Sequence, residues 1–203
     1  MIILEDLIQG SPEWFKEKLG KPSASRFSEI VTTSGEASKS REGYMYELAA
    51  EQISGAAVEG YKNACMQEGN DRESESRALY EMIHGVTVQQ VGVVFRDEWR
   101  LVLCSPDGIV DGCYGLEMKN VLPKTQVKYL LAGRLPTDYF QQVQGSMYIT
   151  GFDRWDFMSY SPGLPPLMIK VSRDEKFIDL MAKAIDDFVV DLQGVVDRLK
   201  RLT

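Results

Sequence analysis

Apolar residues follow two different spacings along the chain, and the change between them falls near Val86. Before this point, apolar positions recur three and four residues apart, which is typical of helices with one buried face. From Val86 onwards, short β-branched and aromatic runs are separated by turn residues, which is typical of strands. The pattern therefore predicts a helical part to about residue 85, followed by an α/β part.

Four helices are predicted before Val86, and they span residues 12–19, 23–30, 44–53 and 63–84. Ser11 is the expected N-cap of the first, with Pro12 at its first helical position. In the fourth, Glu73 and Arg77 are one turn apart and are expected to form an ion pair. Three apolar residues of the fourth helix are expected to face the core: Leu79, Met82 and Ile83.

Five strands and three helices are predicted after residue 85. Strands 86–95, 99–110 and 114–122 should form an antiparallel meander, and strands 154–161 and 166–172 complete a sheet of about five strands. Helices are expected from about Thr125 to Gly133, from Thr137 as a cap to Thr150, and after a capping box at 172–175. The last helix carries an apolar stripe that indicates core packing: Met181, Ile185, Phe188, Leu192, Val195 and Leu199.

The composition fits one domain that needs no structural disulfide. The chain has 203 residues, of which 44% are hydrophobic, so it can bury a sizeable core. Its cysteines, Cys65, Cys104 and Cys113, include no C-x-x-C pair, which argues against a disulfide framework or a zinc site. No apolar run is long enough to span a bilayer, and the N-terminus lacks a basic signal segment. We expect a cytoplasmic protein without a membrane partner.

The net charge of −7 argues against a generally basic nucleic-acid-binding surface. Positive charge is nevertheless concentrated in two segments. Between Met118 and Thr137 every charged side chain is basic, and the segment 16–26 is diluted by one glutamate. Such segments on an acidic protein favour a lined groove. Their basic residues are Lys119, Lys124, Lys128 and Arg134 in the first, and Lys16, Lys18, Lys21 and Arg26 in the second.

The segment 105–120, SPDGIVDGCYGLEMKN, carries the candidate chemistry. Glu117 and Lys119 are two residues apart and share one face of a strand. Asp111 and Gly112 predict a tight hairpin turn, which would bring Asp107 beside Glu117. Two carboxylates with a lysine at the rim suit Mg²⁺, with Mn²⁺ as the alternative, because both ions prefer hard oxygen ligands.

Two other interpretations of this hairpin need weighing. An EF-hand loop beginning at Asp107 would place Ile109 and Met118 at ligand positions three and twelve, so a calcium loop is excluded. An acidic, glycine-rich hairpin on the surface, without any metal, is compatible with the spacing alone. In the same way, Glu73 by itself reads as a solvated surface acid.

Within the segment 105–120, Ser105-Pro106-Asp107-Gly108 is followed by Gly115-Leu116-Glu117-Met118-Lys119. This motif, with companion motifs in order along the chain, resembles the PD-(D/E)XK nucleases of the lambda-type exonuclease family, also called YqaJ viral recombinases or alkaline exonucleases. The resemblance implies a restriction-endonuclease-like core: a mixed sheet of about five strands flanked by helices, in a single domain over 1–203. The companion motifs are Trp14 with Lys18-Leu19-Gly20 and Ser23-Ala24-Ser25, Glu73 with 77–81, 142–148, and 173–176.

The resemblance also implies roles for the site residues. Asp107 and Glu117 would hold Mg²⁺ together with the backbone carbonyl of Met118, and Lys119 would orient or activate the attacking water. Glu73 would join the acidic cluster through water or a second metal. Gln142 would position the lysine or the water. These assignments rest on the family's motifs and not on the spacing.

In the same family, an arginine and serines bind the 5′-phosphate of the strand being cut. The matching positions here are Lys18, Ser25 and Ser105, so a lysine replaces the forked guanidinium. Trp14 either stacks near the duplex end or packs in the core. The basic residues Lys124 and Lys128 are further candidates for DNA contact.

The function implied is a Mg²⁺-dependent 5′→3′ exonuclease on double-stranded DNA that leaves 3′ single strands for recombination. A homotrimeric ring around DNA and a single-strand annealing protein as partner, in a bacterial or phage-infected cytoplasm, are further implications. The alternatives are a related nuclease of other polarity, such as a structure-specific endonuclease or a Cas4-like nuclease, and a non-catalytic DNA-binding module. The absence of a four-cysteine cluster counts against the Cas4-like form.

Overall fold

The computed structural model describes residues 1–57 and 64–202, with the side chains of the second range described from 72 onwards. The α-helices are α1 (Pro12–Lys18), α2 (Arg41–Ser54), α3 (Ala64–His84), α4 (Pro123–Ala132), α5 (Phe140–Thr150) and α6 (Glu175–Lys200). Two 3₁₀ helices span Ala24–Glu29 and Thr137–Tyr139. The strands are β1 (Ile2–Leu4), β2 (Val88–Gln89), β3 (Val93–Phe95), β4 (Leu103–Cys104), β5 (Gly108–Val110), β6 (Tyr114–Asn120), β7 (Arg154–Tyr160) and β8 (Leu167–Ser172).

The main sheet has five strands in the order β2-β5-β6-β7-β8, and helices lie on both of its faces. All neighbours are antiparallel except β6 and β7, which are parallel. Tyr80 of α3 belongs to the apolar cluster on the Leu116 face of β6, and Val143 of α5 packs with Trp155. The predicted fold class, a mixed sheet of about five strands flanked by helices, is confirmed.

Two features hold the central strand β6 in place. The β5–β6 turn runs through Asp111 and Gly112, whose φ angles of +48° and +70° fit the predicted tight hairpin turn. At the start of β6, a Cβ on Gly115 would lie 2.3 Å from the ring of Trp155, so only glycine permits this close approach. The strand β6 therefore lies in close contact with the indole of Trp155 on its parallel neighbour β7.

The antiparallel pairing of the predicted meander is confirmed, because β2 pairs with β5, β3 with β4 and β5 with β6, but its first two strands are not continuous. The predicted strands 86–95 and 99–110 each break into two, and β3 pairs with both β1 and β4 in a separate three-stranded sheet. The side chain of Gln9 ties the two breaks together, because its Nε2 donates to Val91 O and to Pro106 O, each at 2.8 Å. The strand β1, which the apolar pattern does not predict, forms one edge of this second sheet.

The phase of the fourth predicted helix is also partly wrong. Met82 and Ile83 of α3 are exposed, while Tyr80 and Ser76 are buried and Leu79 is half-buried. The helix presents Tyr80 to the sheet because its hydroxyl donates a 2.7 Å hydrogen bond to buried Asp156. The expected start of this helix at position 63 lies outside the described residues.

Two of the predicted caps are wrong. Asp174, and not Ser172, caps α6, since its side chain accepts a hydrogen bond from Phe177 N at 3.0 Å, while Ser172 is the last residue of β8. Thr137 begins a 3₁₀ helix that precedes α5 and makes no cap. The predicted helix 23–30 is likewise 3₁₀ in form, whereas Ser11 caps α1 as predicted.

The remaining helices follow the prediction closely. α2 begins three residues before the expected Tyr44, and α4 begins at Pro123, two residues before Thr125. In α6, the predicted stripe packs into the largest core cluster. Its member Val195 is partly buried, and the next residue, Val196, which the stripe does not include, is buried. Among the described helices, none has both the length and the hydropathy to cross a membrane. Cys104 is buried and Cys113 is exposed, and the side chain of Cys65 lies outside the described residues.

Candidate active site

Asp107 lies beside the central strand, at the end of the segment that connects β4 to β5. Its Oδ2 accepts a 2.5 Å hydrogen bond from the backbone N–H of Met118 on β6. Because the N–H and C=O of one strand residue leave the same edge, the Met118 carbonyl also faces the Asp107 side. The Asp111–Gly112 turn thus brings Asp107 to β6, as the spacing predicts.

Glu117 and Lys119 share the face of β6 that looks toward α5. Glu117 is 2% exposed, and its Oε1 lies 2.6 Å from the ammonium of Lys119. The same oxygen accepts a 2.6 Å hydrogen bond from Nε2 of Gln142 on α5. The structure therefore brings Asp107, Glu117, Lys119 and Gln142 together at one edge of β6.

The charges in this group affect one another strongly. Burial and the nearby carboxylate of Glu117 raise the pKa of Asp107 well above its usual range, with Lys119 opposing the shift. Burial alone would lower the pKa of Lys119, but the carboxylates of Glu117 and Asp107 outweigh it and raise that pKa. Lys119 therefore keeps its positive charge, whereas the charged form of Asp107 is disfavoured in the metal-free protein.

The donor set fits a Mg²⁺ ion that keeps several waters. Within the described residues no three His, Cys, Asp or Glu side chains converge on one point, so a cage of protein side chains is absent there. Two carboxylates with one backbone carbonyl are what Mg²⁺ commonly takes from protein, with water and phosphate oxygens completing its octahedron. The residues that would hold it are Asp107, Glu117 and Met118 through its carbonyl.

Glu73 lies on α3 at the border of this site. It is half-buried and forms an ion pair with Arg77, as the i,i+4 spacing predicts. Burial raises the pKa of Glu73, with Arg77 opposing and Glu117 adding to the shift, so the glutamate is within electrostatic reach of the carboxylate pair. Nε of Arg77 is buried without a hydrogen-bond partner in the described part of the chain.

Trp14 connects the N-terminal block to the segment that precedes Asp107. Its Nε1 donates to Gly92 O at 2.9 Å and to Ser105 Oγ at 3.2 Å, and its ring packs in an apolar cluster with Leu7 and β3. Lys18 lies over the Trp14 ring, 3.8 Å from the centroid. Trp14 is thus a packing residue that holds Ser105 and Lys18 in position.

Lys18 is the cation of the N-terminal block nearest the carboxylates. Burial lowers its pKa to about 8, and Cys104, Glu117 and Asp107 oppose that shift. Ser25 is exposed, and its Oγ lies 3.3 Å from that of Ser23. Lys18 is within electrostatic reach of the carboxylates, but the described hydrogen bonds and ion pairs join neither Lys18 nor Ser25 to Asp107 or Glu117.

Comparison with known proteins gives a family match over most of the chain. Residues 13–153 match the YqaJ-like viral recombinase domain, a segment that includes Trp14, Asp107, Lys119 and Gln142. The chain belongs to the YqaJ-like viral recombinase family. A comparison with curated protein sequences gives no significant match.

Solved structures agree with membership of the YqaJ-like family. The alkaline exonuclease LHK-Exo from Laribacter hongkongensis is 30% identical and has a TM-score of 0.85, over 94% of this chain and 97% of that chain. LHK-Exo in complex with dAMP matches at the same identity and coverage with a TM-score of 0.84. A phage-related exonuclease from Haemophilus somnus 129PT shares the fold, at 17% identity and a TM-score of 0.65, over 90% and 96% of the two chains. The chain is therefore a nuclease-family protein with an alkaline exonuclease fold.

Two other candidate residues of this YqaJ-family chain, Lys124 and Lys128, lie one turn apart on the exposed side of α4. No hydrogen bond or ion pair among the described residues connects either to the carboxylates. The described contacts therefore do not join them to Asp107, Glu117 and Lys119.

Tyr139 is a site residue that the sequence motifs did not indicate. Its ring centroid lies 5.1 Å from the ammonium of Lys119, which is the ion-pair partner of Glu117. The same ring stacks on Phe157, with the two centroids 5.3 Å apart. Phe157 is the β7 residue directly paired with Glu117. Tyr139 comes from the 3₁₀ helix before α5, and no spacing rule connects it to Lys119, so only the folded chain reveals this contact.

Proposed function

We propose that this chain is a Mg²⁺-dependent exonuclease that degrades double-stranded DNA from 5′ ends and leaves 3′ single strands. The observation that carries the proposal is the group of Asp107 beside β6 with Glu117 and Lys119 on β6, in an alkaline exonuclease fold. Asp107 is held 2.5 Å from the N–H of Met118, and Glu117 lies 2.6 Å from the Lys119 ammonium. Membership of a nuclease family supports DNA as substrate and a divalent metal as cofactor.

The metal would supply positive charge against the phosphodiester and make the attacking water more acidic. The chain's own groups then orient the reactants. The ammonium of Lys119, kept charged by Glu117 and Asp107, can donate a hydrogen bond to water or to a phosphate oxygen. Gln142 fixes the Glu117 carboxylate through Oε1, and the N–H of Met118 fixes Asp107. The oxygens not used in these bonds remain available for a cation.

The proposed polarity rests on Lys18, Ser25 and Ser105. Lys18 is a half-buried cation close to the carboxylates. The indole N–H of Trp14 donates a hydrogen bond to the Ser105 hydroxyl at the same end of the site. A terminal phosphate carries more charge than an internal diester, so a cation in this position favours a phosphorylated end. The relative LHK-Exo has been solved with dAMP, a nucleoside monophosphate of the kind that stepwise hydrolysis would release.

The wider assembly is also part of the proposal. We propose a homotrimeric ring around DNA, because a basic groove can line a channel while the exterior keeps the net charge of −7. A single-strand annealing protein would take up the 3′ strand. Residues 1–203 would form one domain, and the packing of α2 from the N-terminal part against α6 in one core cluster supports this. A sedimentation mass near one chain would contradict the ring.

Three substrates test the polarity directly: linear duplex with 5′-phosphate ends, linear duplex with 5′-hydroxyl ends, and covalently closed circles. We expect release of mononucleotides from the first, slower release from the second and none from the third, all requiring Mg²⁺. Equal cutting of closed circles would favour a structure-specific endonuclease. Binding of the linear duplex without any hydrolysis in Mg²⁺ or Mn²⁺ would favour the non-catalytic module.

A further inference from the structure

The hairpin that joins β3 to β4 carries an exposed tryptophan at its tip. Arg96 N donates to Val102 O at 3.1 Å, Arg100 N to Asp97 O at 3.2 Å, and Trp99 N to Asp97 Oδ1 at 3.1 Å. These bonds hold the turn in one shape. Trp99 itself is 74% exposed. A large aromatic side chain is thus presented to solvent on a well-bonded turn.

The next residue occupies a backbone position that favours glycine. Arg100 has a φ of +53°, in the left-handed region that closes this kind of hairpin turn. A residue with a Cβ is strained there, so an arginine does not serve the stability of the turn. The side chain of Arg100 extends over Phe95, with its guanidinium carbon 5.5 Å from the ring centroid. The strained position therefore points to a use for the cation.

A row of cations connects this hairpin to the candidate active site. Lys21 lies 5.3 Å from the same Phe95 ring, and Phe95 packs in one apolar cluster with Trp14, which carries Lys18 on its ring. Burial lowers the pKa of Lys21, Glu17 opposes this and the positive charge of Arg100 adds to it, so the two cations are close to each other. Acidic groups are near: Glu17 lies 3.9 Å from Lys21, and Glu98 is part of the turn.

We propose that the β3–β4 hairpin tip binds single-stranded DNA, with an unpaired base stacked on Trp99 and phosphates on Arg100 and Lys21. An exposed indole offers a flat face that any unpaired base can stack on, whereas bases inside a duplex are covered by their neighbours. Each nucleotide of a single strand also carries one negatively charged phosphate, which the cations beside Trp99 can neutralise. The combination of an exposed aromatic face with neighbouring cations suits a polyanion that carries unpaired bases, so single-stranded DNA is the occupant that the hairpin favours.

This inference rests on the proposed function, because hydrolysis of one strand of a duplex leaves the other strand unpaired beside the site. Lys18, at the carboxylate end of the row, is the cation assigned to the end being cut. Arg100 and Trp99 lie at the other end. The hairpin would therefore hold the strand that is spared, and keep it from re-pairing at the point of hydrolysis.

The test is the affinity of the purified full chain for a fluorescent (dT)20 oligonucleotide in EDTA, measured by anisotropy at several salt concentrations. Trp99→Ala should weaken binding about tenfold without changing the salt dependence, because stacking is lost and no phosphate contact is. Arg100→Gly should weaken binding and make the slope of log K against log salt shallower by about 0.7. Since glycine suits the left-handed position, its melting temperature should be unchanged or higher.

The matched control is Met82→Ala, because Met82 is also 74% exposed but lies on α3. It should bind (dT)20 like the parent. Unchanged binding by both Trp99→Ala and Arg100→Gly would overturn the inference, as would an equal loss in Met82→Ala. A blunt duplex of 20 base pairs, included as competitor, should lose little affinity in Trp99→Ala, and an equal loss for duplex would also overturn it. The measurement involves no hydrolysis, so it remains decisive even if the proposed nuclease activity fails.

Discussion

The amide Nε2 of Gln142 donates a 2.6 Å hydrogen bond to Oε1 of the buried Glu117 carboxylate. The same oxygen lies 2.6 Å from the Lys119 ammonium and forms an ion pair with it, so the lone pairs of Oε1 are largely used. Glu117 then has its Oε2 for a cation, in an orientation set from α5. Gln142 on α5 thus sets the orientation of the Glu117 carboxylate on β6.

Gln142→Ala should lower the rate of hydrolysis about ten- to a hundredfold, as is usual when the partner of a metal-holding residue is removed. The loss should appear mainly in kcat, because Gln142 orients Glu117 and need not touch DNA. The matched control on the same helix is Gln141→Ala, whose amide donates to Val31 O at 3.2 Å. That variant should lower the melting temperature and leave kcat unchanged. The reverse pattern in the two variants would refute the positioning role.

Asp107→Asn should abolish hydrolysis yet stabilise the metal-free protein. The pKa of Asp107 is raised by burial and by Glu117, so its charged form is unfavourable in the folded state. The native protein therefore keeps a proton that the unfolded chain loses above about pH 4, and its stability falls as pH rises from there toward the raised pKa. The increase in the free energy of unfolding of Asp107→Asn over the parent should be largest above that pKa and should be absent below about pH 4.

The measurement is thermal unfolding in EDTA across this pH range. Each kcal/mol gained should raise the melting temperature by about 2–4 °C for a chain of this size. Addition of Mg²⁺ should stabilise the parent and leave the variant unchanged, because the variant lacks one of the two carboxylates. A lower melting temperature for Asp107→Asn in EDTA at pH 8 would show that the carboxylate pair is not strained by repulsion.

Recognition of a 5′-phosphate should depend on pH through Lys18. Burial lowers the pKa of Lys18 to about 8, so the free protein loses this charge as pH rises above that value. Binding a phosphate then requires uptake of a proton, and the preference for 5′-phosphate over 5′-hydroxyl ends should decline between pH 8 and 10. In Lys18→Arg the guanidinium stays charged, so the preference should stay constant. Parallel pH profiles of kcat/KM ratios for parent and variant would contradict this.

The local part of the site was predictable from sequence, since Asp107, Gly112 and Glu117 lie within one short hairpin. Turn chemistry and the two-residue period of a strand suffice to bring the two acids together. The contacts that hold this hairpin were not predictable. Gln9 bonds to carbonyls 82 and 97 residues away, and no local pattern reports such a contact.

The errors in helix phase have a similar cause. Apolar spacing favoured Met82 and Ile83 as buried positions, but α3 instead turns Tyr80 inward, where its hydroxyl bonds to Asp156. A buried polar contact between distant residues outweighed the burial of two aliphatic side chains. Tyr139 was not predicted because its ring meets the Lys119 ammonium only in the folded chain, and no local spacing connects the two residues.

The central claim is that Lys119, beside Glu117 and Asp107, is part of a hydrolytic site. The most direct measurement compares Lys119→Ala with Lys183→Ala in the Mg²⁺-dependent release of nucleotides from 5′-phosphorylated linear duplex. Lys183 lies on α6, where its side chain is 77% exposed and its ammonium pairs with Asp187. Lys119→Ala should lose at least about a hundredfold in rate, as general acid–base and charge-stabilising groups commonly contribute. Lys183→Ala should match the parent. Hydrolysis by Lys119→Ala at the parent rate would contradict the proposed site.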